Sequence, residues 1–507
     1  MNKYVIISVL MIFFSCTGKS TEDQINLVFY SDPKSLDPAL ATDVRTGRIC
    51  ALLYDNLLKF GKSSQLVPSI AKSWTVDKSG TIYTFNLRHD IHFTSGELLT
   101  SHHVKSSFER IMSPDTQSHR KWLFKSVDGA NVFEIGESNN ISGFQAINDT
   151  TFIIQLSEPF SPFPGFLAMP AAAIIMMDTD NQIIGTGPWI LKEWIHDGHL
   201  KFFRNDNYFL GAPMSEYINI RILPEALPRS AEFITGYLDI LEIPESEYLL
   251  WAEDPKWNPF IHFNNELNTY YIGLNCSRPP FNDVRVRQAV NYAVDVEAII
   301  NSINNGKGIL ASGPIPPSLL ADNDSPAYGY NQEMARKLLS EAGYENGFEV
   351  ELWQGSSREL LMITENIQAQ LADIDIKVTI IRNDWNMYSQ AVNQGKPDMY
   401  YRSWWADYPD PENFLTPLFE SGISIRRWTR YINPELDNII MSLQKETDDE
   451  IRLSLSIMAN DILHHDAPWI YLWHSQTATI VNPALRGWSP SLMFNAEKYL
   501  TVWKETN

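Results

Sequence analysis

Strand and helix patterns alternate along the 507 residues, which predicts an α/β chain folded as more than one lobe. Length agrees: beyond a short leader about 490 residues remain, the size of two or three domains. No internal repeat or low-complexity tract interrupts the pattern, so a solenoid or fibrous chain is excluded.

The first 15 residues, "MNKYVIISVLMIFFS", carry one lysine and then an apolar run ending at Ser15-Cys16. That run is too short for a stable membrane anchor and fits a secretory signal peptide. Ser15-Cys16 is similar to a bacterial lipoprotein box, which makes Cys16 the candidate lipid-attachment residue and mature N-terminus. Phe13 departs from the leucine-like residue of that pattern; ordinary cleavage, giving a free periplasmic or secreted protein, is the alternative. A polar tether, "TGKSTEDQ" (17–24), follows.

"INLVFYS" then reads as a strand and "SLDPAL" as a turn. Between 70 and 96, alternation in Tyr83, Phe85 and Leu87 and the reversal Lys78-Ser79-Gly80 predict two strands about a turn. Residues 100–111 have Val104, Phe108 and Ile111 at helical spacing behind Thr100 or Ser101 as cap. His102 and His103 lie in its first turn about 100° apart, a poor metal pair expected to face solvent. A strand is expected at 150–160, and "AMPAAAIIMM" (168–177) is too short to cross a membrane. Residues 268–302 run from a strand through prolines into a helix starting near Asn282-Asp283, with Val286, Ala289, Val290 and Ala293 buried. Helix 331–343 takes Asn331 as cap and Gly343 as stop; helices 359–372 and 448–464 lead into strands 375–381 and 469–474.

A net charge of −21 argues against nucleic acid, which needs clustered Lys and Arg, and tolerates cationic or zwitterionic ligands. Aromatic residues make up 12% of the chain, enough for some to face a ligand. Beyond Cys16 only Cys50 and Cys276 remain; neither has a ligand-spaced partner, so both are expected as buried free thiols.

No G-x-S-x-G elbow, H-E-x-x-H, P-loop or dinucleotide fingerprint is present. "GTGPW" (185–189) is better explained as a strand-entry turn than as a phosphate cradle, and His464-His465 as a cationic pair at a helix end. The most unusual stretch is "WWADYPDPENF" (404–414), three carboxylates among aromatics and two prolines. Prolines stiffen it, so Asp407 is a fixed acid that could serve as general acid or base, metal ligand or counter-charge for a cation. Asp410 and Glu412 read as turn and helix-start residues.

Taken in order, "LVPSIAKSWTVDKSGTIYTFNLRHDIHFTSGELLTSHHVKSSFERI" (66–111), "GTGPWILKEW" (185–194), "FFRNDNYFLGAP" (202–213), "PPFNDVRVRQAVNYAVDVEAII" (279–300), "GPIPP" (313–317), "YNQEMARKLLSEAGYENGFEVEL" (330–352) and "WWADYPDPENFLTPLF" (404–419) form a set. The chain resembles the extracytoplasmic solute-binding proteins of family 5, the peptide and nickel class of ABC importers. Its motifs are most similar to those of oligopeptide- and dipeptide-binding members. The resemblance implies a two-lobed periplasmic-binding-protein fold of type II, in the large three-region cluster C form, with a hinge between lobes. It divides the chain into a signal peptide (1–15), tether (16–24), region I (25–60, 169–268 and 475–507), region II (61–168) and a second lobe, region III (269–474). "TYYIGLN" and "IYLWHSQ" would carry the crossover strands.

The same resemblance implies no covalent chemistry and no cofactor. It implies a peptide ligand, a permease and a separate ATPase as partners, a lipid-anchored monomer in the bacterial cell envelope, and no nucleic acid. Asp407 falls where peptide-binding members place the aspartate that pairs with the ligand's α-ammonium. Trp404 and Trp385 match aromatic positions that line side-chain pockets, with core packing as the alternative for each indole. Tyr270, on the first crossover strand, joins the ligand-binding set. The basic residue that holds the peptide carboxylate has no clear match. Arg358 in "WQGSSREL" and Arg402, which alternation puts on one face with Trp404, are its candidates. Without either in the cleft, the ligand need not be a free-carboxylate dipeptide. Nickel chelates, oligosaccharides or opines, and a receptor or adhesin role without transport, stay open on this fold.

Overall fold

Alternation sets the first strand: Ile25, Leu27 and Phe29 of Gln24–Phe29 are buried in a computed structural model that describes residues 23–321, 325–424 and 428–505. The leader, Cys16 and nearly all of the tether lie outside the described residues. Gln24–Phe29 pairs in parallel with Tyr217–Ile222, and antiparallel strands His199–Arg204 and Trp189–Ile195 complete a four-stranded sheet. Gly185 and Gly187 bring the chain to it so closely that a Cβ would lie 2.1 Å from the Leu53 carbonyl or 2.4 Å from that of Leu52. "GTGPW" is therefore a tight entry to the strand at Trp189.

A second four-stranded sheet takes Ala71–Val76, Ile82–Leu87, Thr151–Gln155 and Phe144–Asn148, in that order. Tyr83, Phe85 and Leu87 turn inward onto a core rich in phenylalanine, where the Phe108 and Phe124 rings lie 4.6 Å apart. The strand expected at 150–160 is shorter, because after Gln155 the backbone turns to bond Ser126 through the Ser157 N–H. Helix Ser101–Met112 covers this core behind Thr100. Only His102 faces solvent: the His103 Nδ1 accepts the Thr100 backbone N–H at 3.0 Å, and its ring packs 5.0 Å from Phe93. Burial lowers its pKa, so this ring is a neutral cap partner and not a solvated imidazole.

The largest sheet has six strands, ordered Ile309–Leu310, Trp469–His474, Asn268–Leu274, Met399–Trp405, Phe348–Gly355 and Ile376–Asn383. Both faces are covered, which is why its central strands are apolar almost throughout. On one face Ile272, Leu274, Met399 and Tyr401 meet Val284–Ala293, Gln332–Glu341 and Arg358–Ala372. On the other, Tyr271, Tyr400, Trp469 and Tyr471 meet Glu412–Phe419, Pro434–Lys445 and Asp449–Asp466; Tyr271 and Trp469 stack at 3.5 Å. Caps fall where residue chemistry puts them: Asp283 accepts from the Arg285 N–H, Asn331 accepts from the Met334 N–H, and Gly343 turns at a φ of 84° past the end of the second helix.

His464 departs from expectation. It lies in the last turn of its helix, but Nδ1 bonds the Ser312 carbonyl at 2.8 Å and the ring stacks on Tyr328 at 4.4 Å. Burial lowers its pKa, so it is a neutral packing residue and not a cationic cap. Both cysteines are free; Cys50 is buried and Cys276 half-buried, with burial pushing the Cys276 thiol up to about 11.

The six-stranded sheet joins the rest of the chain at paired crossings. Ile261–Asn265 pairs antiparallel with Gln476–Val481 in a three-stranded sheet. Directly beyond, Asn268–Leu274 pairs antiparallel with Trp469–His474. Between them the Glu266 N–H donates to the Ser475 carbonyl at 2.9 Å, and the Asn268 amide donates to Ser475 Oγ at 2.6 Å while its oxygen accepts the Ser475 N–H at 2.9 Å. Among the described residues no helix is long and apolar enough to cross a membrane.

Candidate functional site

Strand Met399–Trp405 ends where the chain turns, and the Ala406 N–H bonds the Leu267 carbonyl at 2.8 Å. Pro409 and Pro411 restrict the turn, and helix Glu412–Phe419 begins directly after Pro411. The two acids nearest the helix hold this geometry. Asp410 Oδ1 accepts the Glu412 N–H at 2.9 Å and Oδ2 takes the Arg452 guanidinium at 2.6 Å. Glu412 is buried, accepts from the Tyr408 hydroxyl and takes Gln444 Nε2 at 2.9 Å. Burial raises the pKa of Glu412, as it does for any carboxyl taken out of water.

Asn413 completes the turn. Its Oδ1 accepts both the Asp407 backbone N–H at 3.1 Å and the Trp404 indole N–H at 3.2 Å, and the side chain is buried. Acid and indole are thus held by one amide. Asp407 Oδ1 accepts from Arg120 Nη1 at 2.9 Å, its side chain stays 33% exposed, and Oδ2 bonds none of the described residues. The guanidinium is itself fixed: Nε donates to the Ala41 carbonyl at 3.0 Å, and the Trp122 ring lies 6.0 Å from Cζ. Arg120 Nη2 makes no hydrogen bond with the described residues.

From Trp404 an aromatic wall runs back along the strand. Trp428 stands edge-on to it at 6.4 Å, and Arg402 Cζ lies 3.9 Å over the Trp428 ring and 5.5 Å from the Trp385 ring. Arg402 and Trp404 therefore meet the same indole. Arg402 Nη1 and Trp428 Nε1 are buried without a hydrogen-bond partner among the described residues. Trp385 opens helix Trp385–Asn393, is 60% exposed and sits behind its cap Asp384.

The fold brings Asp407, Trp404, Arg402 and Trp385 into one continuous set. Tyr270 is placed elsewhere. It pairs across the strands with Ser403, stacks on Trp473 at 5.6 Å and lies on the opposite face of the sheet from Arg402. Arg358 is exposed at the first position of its helix, where its side chain bonds none of the described residues. Sequence reasoning missed Arg120, Asn413 and Trp428. Arg120 is 287 positions from its partner and nothing in "SHRKWLF" marks it; the polar residue after a proline turn was the one available signal for Asn413. Among the described residues no group of three or more His, Cys, Asp or Glu is placed to hold a metal ion.

The model of the bacterial extracellular solute-binding proteins, family 5 Middle, matches residues 65–424. Heme-binding protein A of Haemophilus influenzae is 29% identical over 469 residues, which cover 87% of this chain and 84% of that protein. The dipeptide-binding protein of Escherichia coli is 26% identical over 490 residues, 91% of each. The solved structure of HbpA2 from Haemophilus parasuis superposes with a TM-score of 0.85 at 26% identity, covering 96% of this chain and 100% of that one. The ABC transporter-associated periplasmic binding protein DppA from Helicobacter pylori, solved in complex with the peptide STSA, gives a TM-score of 0.76 at 26% identity over 96% of this chain and 99% of that one. The fold is the two-lobed α/β fold of periplasmic binding proteins.

Proposed function

The chain belongs to the bacterial extracellular solute-binding proteins of family 5, and from that premise we propose that it captures short peptides between its lobes and hands them to a membrane permease driven by a separate ATPase. The observation that carries this reading is Asp407, held on a proline-stiffened turn, partly exposed and with one carboxylate oxygen that bonds none of the described residues. A buried ammonium must be paired, and an acid already fixed in place needs little ordering to pair with it. Trp404, Trp428 and Trp385 supply aromatic walls that accept varied side chains, with water filling what the ligand leaves. Arg402 is the carboxylate partner on this reading, because its buried Nη1 bonds none of the described residues and a carboxylate accepts from guanidinium strongly. Main-chain hydrogen bonds of strand type supply the rest of the affinity.

Capture and release need a hinge, and the paired crossings around Glu266 and Ser475 suit one, being two short adjacent segments between separate sheets. The three-region division with a second lobe at 269–474 is part of this reading, and the same crossings support it. The protein performs no covalent chemistry, acts as a monomer outside the cytoplasm, and is tethered to the membrane by lipid on Cys16. The dipeptide-binding relative and the peptide-bound structural neighbour support the ligand class.

Calorimetry tests the role of Asp407. Asp407→Ala should weaken a tripeptide with a free amino terminus by about 10- to 100-fold, the worth of a charge-assisted hydrogen bond. The N-acetylated form of the same peptide should lose far less. An equal loss for both forms would sink the assignment.

A further inference from the structure

A cavity of about 720 Å³ lies at the end of the six-stranded sheet opposite the hinge, and its wall carries two arginines in a chain of net charge −21. Strands Asn268–Leu274 and Trp469–His474 have their hinge ends at Asn268 and His474. Cys276 and Asp466, just past their other ends, line the cavity with Arg287, Arg430 and Tyr431. Asp407 follows the hinge end of Met399–Trp405, so the cavity is separate from the peptide site.

Arg287 is only 6% exposed, and a buried cation is costly unless it is paired. Its partners are neutral. Nε donates to the Asp466 carbonyl at 2.6 Å and Nη1 to the Phe281 carbonyl at 2.9 Å, while Nη2 bonds none of the described residues and the guanidinium makes no ion pair with them. Two carbonyls thus fix the group against the cavity and leave its charge unmatched. Stapling those carbonyls accounts for Arg287 alone; it does not account for a second guanidinium, that of Arg430, on the same wall. Arg430 is held there in part by the Asn393 carbonyl, which accepts from Nη2 at 3.4 Å.

Asp466 is the one carboxylate among the lining residues. Its Oδ2 accepts from the Tyr431 hydroxyl at 2.5 Å and the Asn433 amide at 3.0 Å, and Oδ1 meets His465 Nδ1 at 3.0 Å. A carboxylate offers about four acceptor positions, so about one is left. The neighbouring Cys276 thiol adds no charge, because burial pushes it up to about 11. Two donor-only cations beside one remaining acceptor match an oxyanion that keeps a proton: its oxygens accept from the guanidiniums and its O–H donates to the acid. Inorganic phosphate keeps a proton at neutral pH and sulfate has none. A phosphomonoester, with a second pKa of about 6, has mostly lost its own. We propose that this cavity is a binding site for inorganic phosphate, with Arg287 and Arg430 as donors and Asp466 as the acceptor of the phosphate proton.

The test is titration calorimetry of the full chain with inorganic phosphate, sulfate and glycerol 3-phosphate at neutral pH. Wild type is expected to bind phosphate saturably and about tenfold tighter than either other ion, the worth of one charge-assisted hydrogen bond. Arg430→Gln should weaken phosphate about tenfold. Asp466→Asn keeps the shape but puts an amide where the acceptor was, so it should erase the preference over sulfate. No saturable phosphate binding to wild type, or sulfate or glycerol 3-phosphate bound as tightly as phosphate, overturns the proposal whether or not the variants fold. Wild-type phosphate affinity in Arg430→Gln, or an undiminished preference over sulfate in Asp466→Asn, overturns it as well.

Discussion

Replacing Asn413 by leucine tests whether one amide sets the geometry of the site. Its Oδ1 accepts from the Asp407 N–H and the Trp404 indole N–H, and leucine accepts from neither. Each buried donor left without a partner costs about 1–3 kcal/mol, so the variant should lose about 2–4 kcal/mol of stability, partly offset where water reaches the turn. Binding should suffer separately. With its backbone anchor gone, Asp407 must be ordered by the ligand, and fixing one residue costs about 1–2 kcal/mol, roughly a tenfold loss in affinity. Urea unfolding at constant slope reads the first effect and titration calorimetry with a tripeptide reads the second. Asn413→Asp is the control, because its carboxyl keeps an acceptor in place and should recover most of the affinity. Wild-type stability and affinity in the leucine variant would show that Asn413 does not hold the turn.

Two further predictions come from buried polar groups near the site and the hinge. His474 is fully buried on a crossover strand, and burial pushes its ring from 6.5 down to about 4, so the folded protein resists its protonation. Its contribution is complete above about pH 6.5 and is lost as pH falls toward 4, a loss of about 3 kcal/mol. The stability difference between wild type and His474→Gln, measured by urea unfolding across that window, should therefore change with pH; a constant difference counts against the buried-histidine account. Arg402→Met keeps an alkyl stem over Trp428 but loses the guanidinium. It should weaken a free-acid tripeptide about tenfold in calorimetry and leave the C-terminal amide nearly unchanged, whereas a parallel loss would reassign Arg402 to packing.

Local chemistry made much of the fold legible. Period-two burial at Tyr83, Phe85 and Leu87 and caps such as Asn331 depend on neighbours in sequence, which a single chain displays. The turn that carries Asp407 was legible for the same reason, since Pro409 and Pro411 act on their immediate neighbours. Strand parity indicated that Arg402 and Trp404 share a face, but only the pairing of Tyr270 with Ser403 reveals that Tyr270 lies on the other one. His103 and His464 escaped because burial, not sequence position, decides whether an imidazole is charged. Arg120 could not be found at all, because an ion pair between residues 287 positions apart exists only once the lobes face each other.

Titration calorimetry of the unmodified chain tests peptide capture most directly. Mixed free-terminus tripeptides, a nickel chelate and an oligosaccharide are titrated separately into the same preparation. Saturable one-site binding of the peptides is expected, and none of the other two. Binding of the chelate or the oligosaccharide with no heat from any peptide would contradict it.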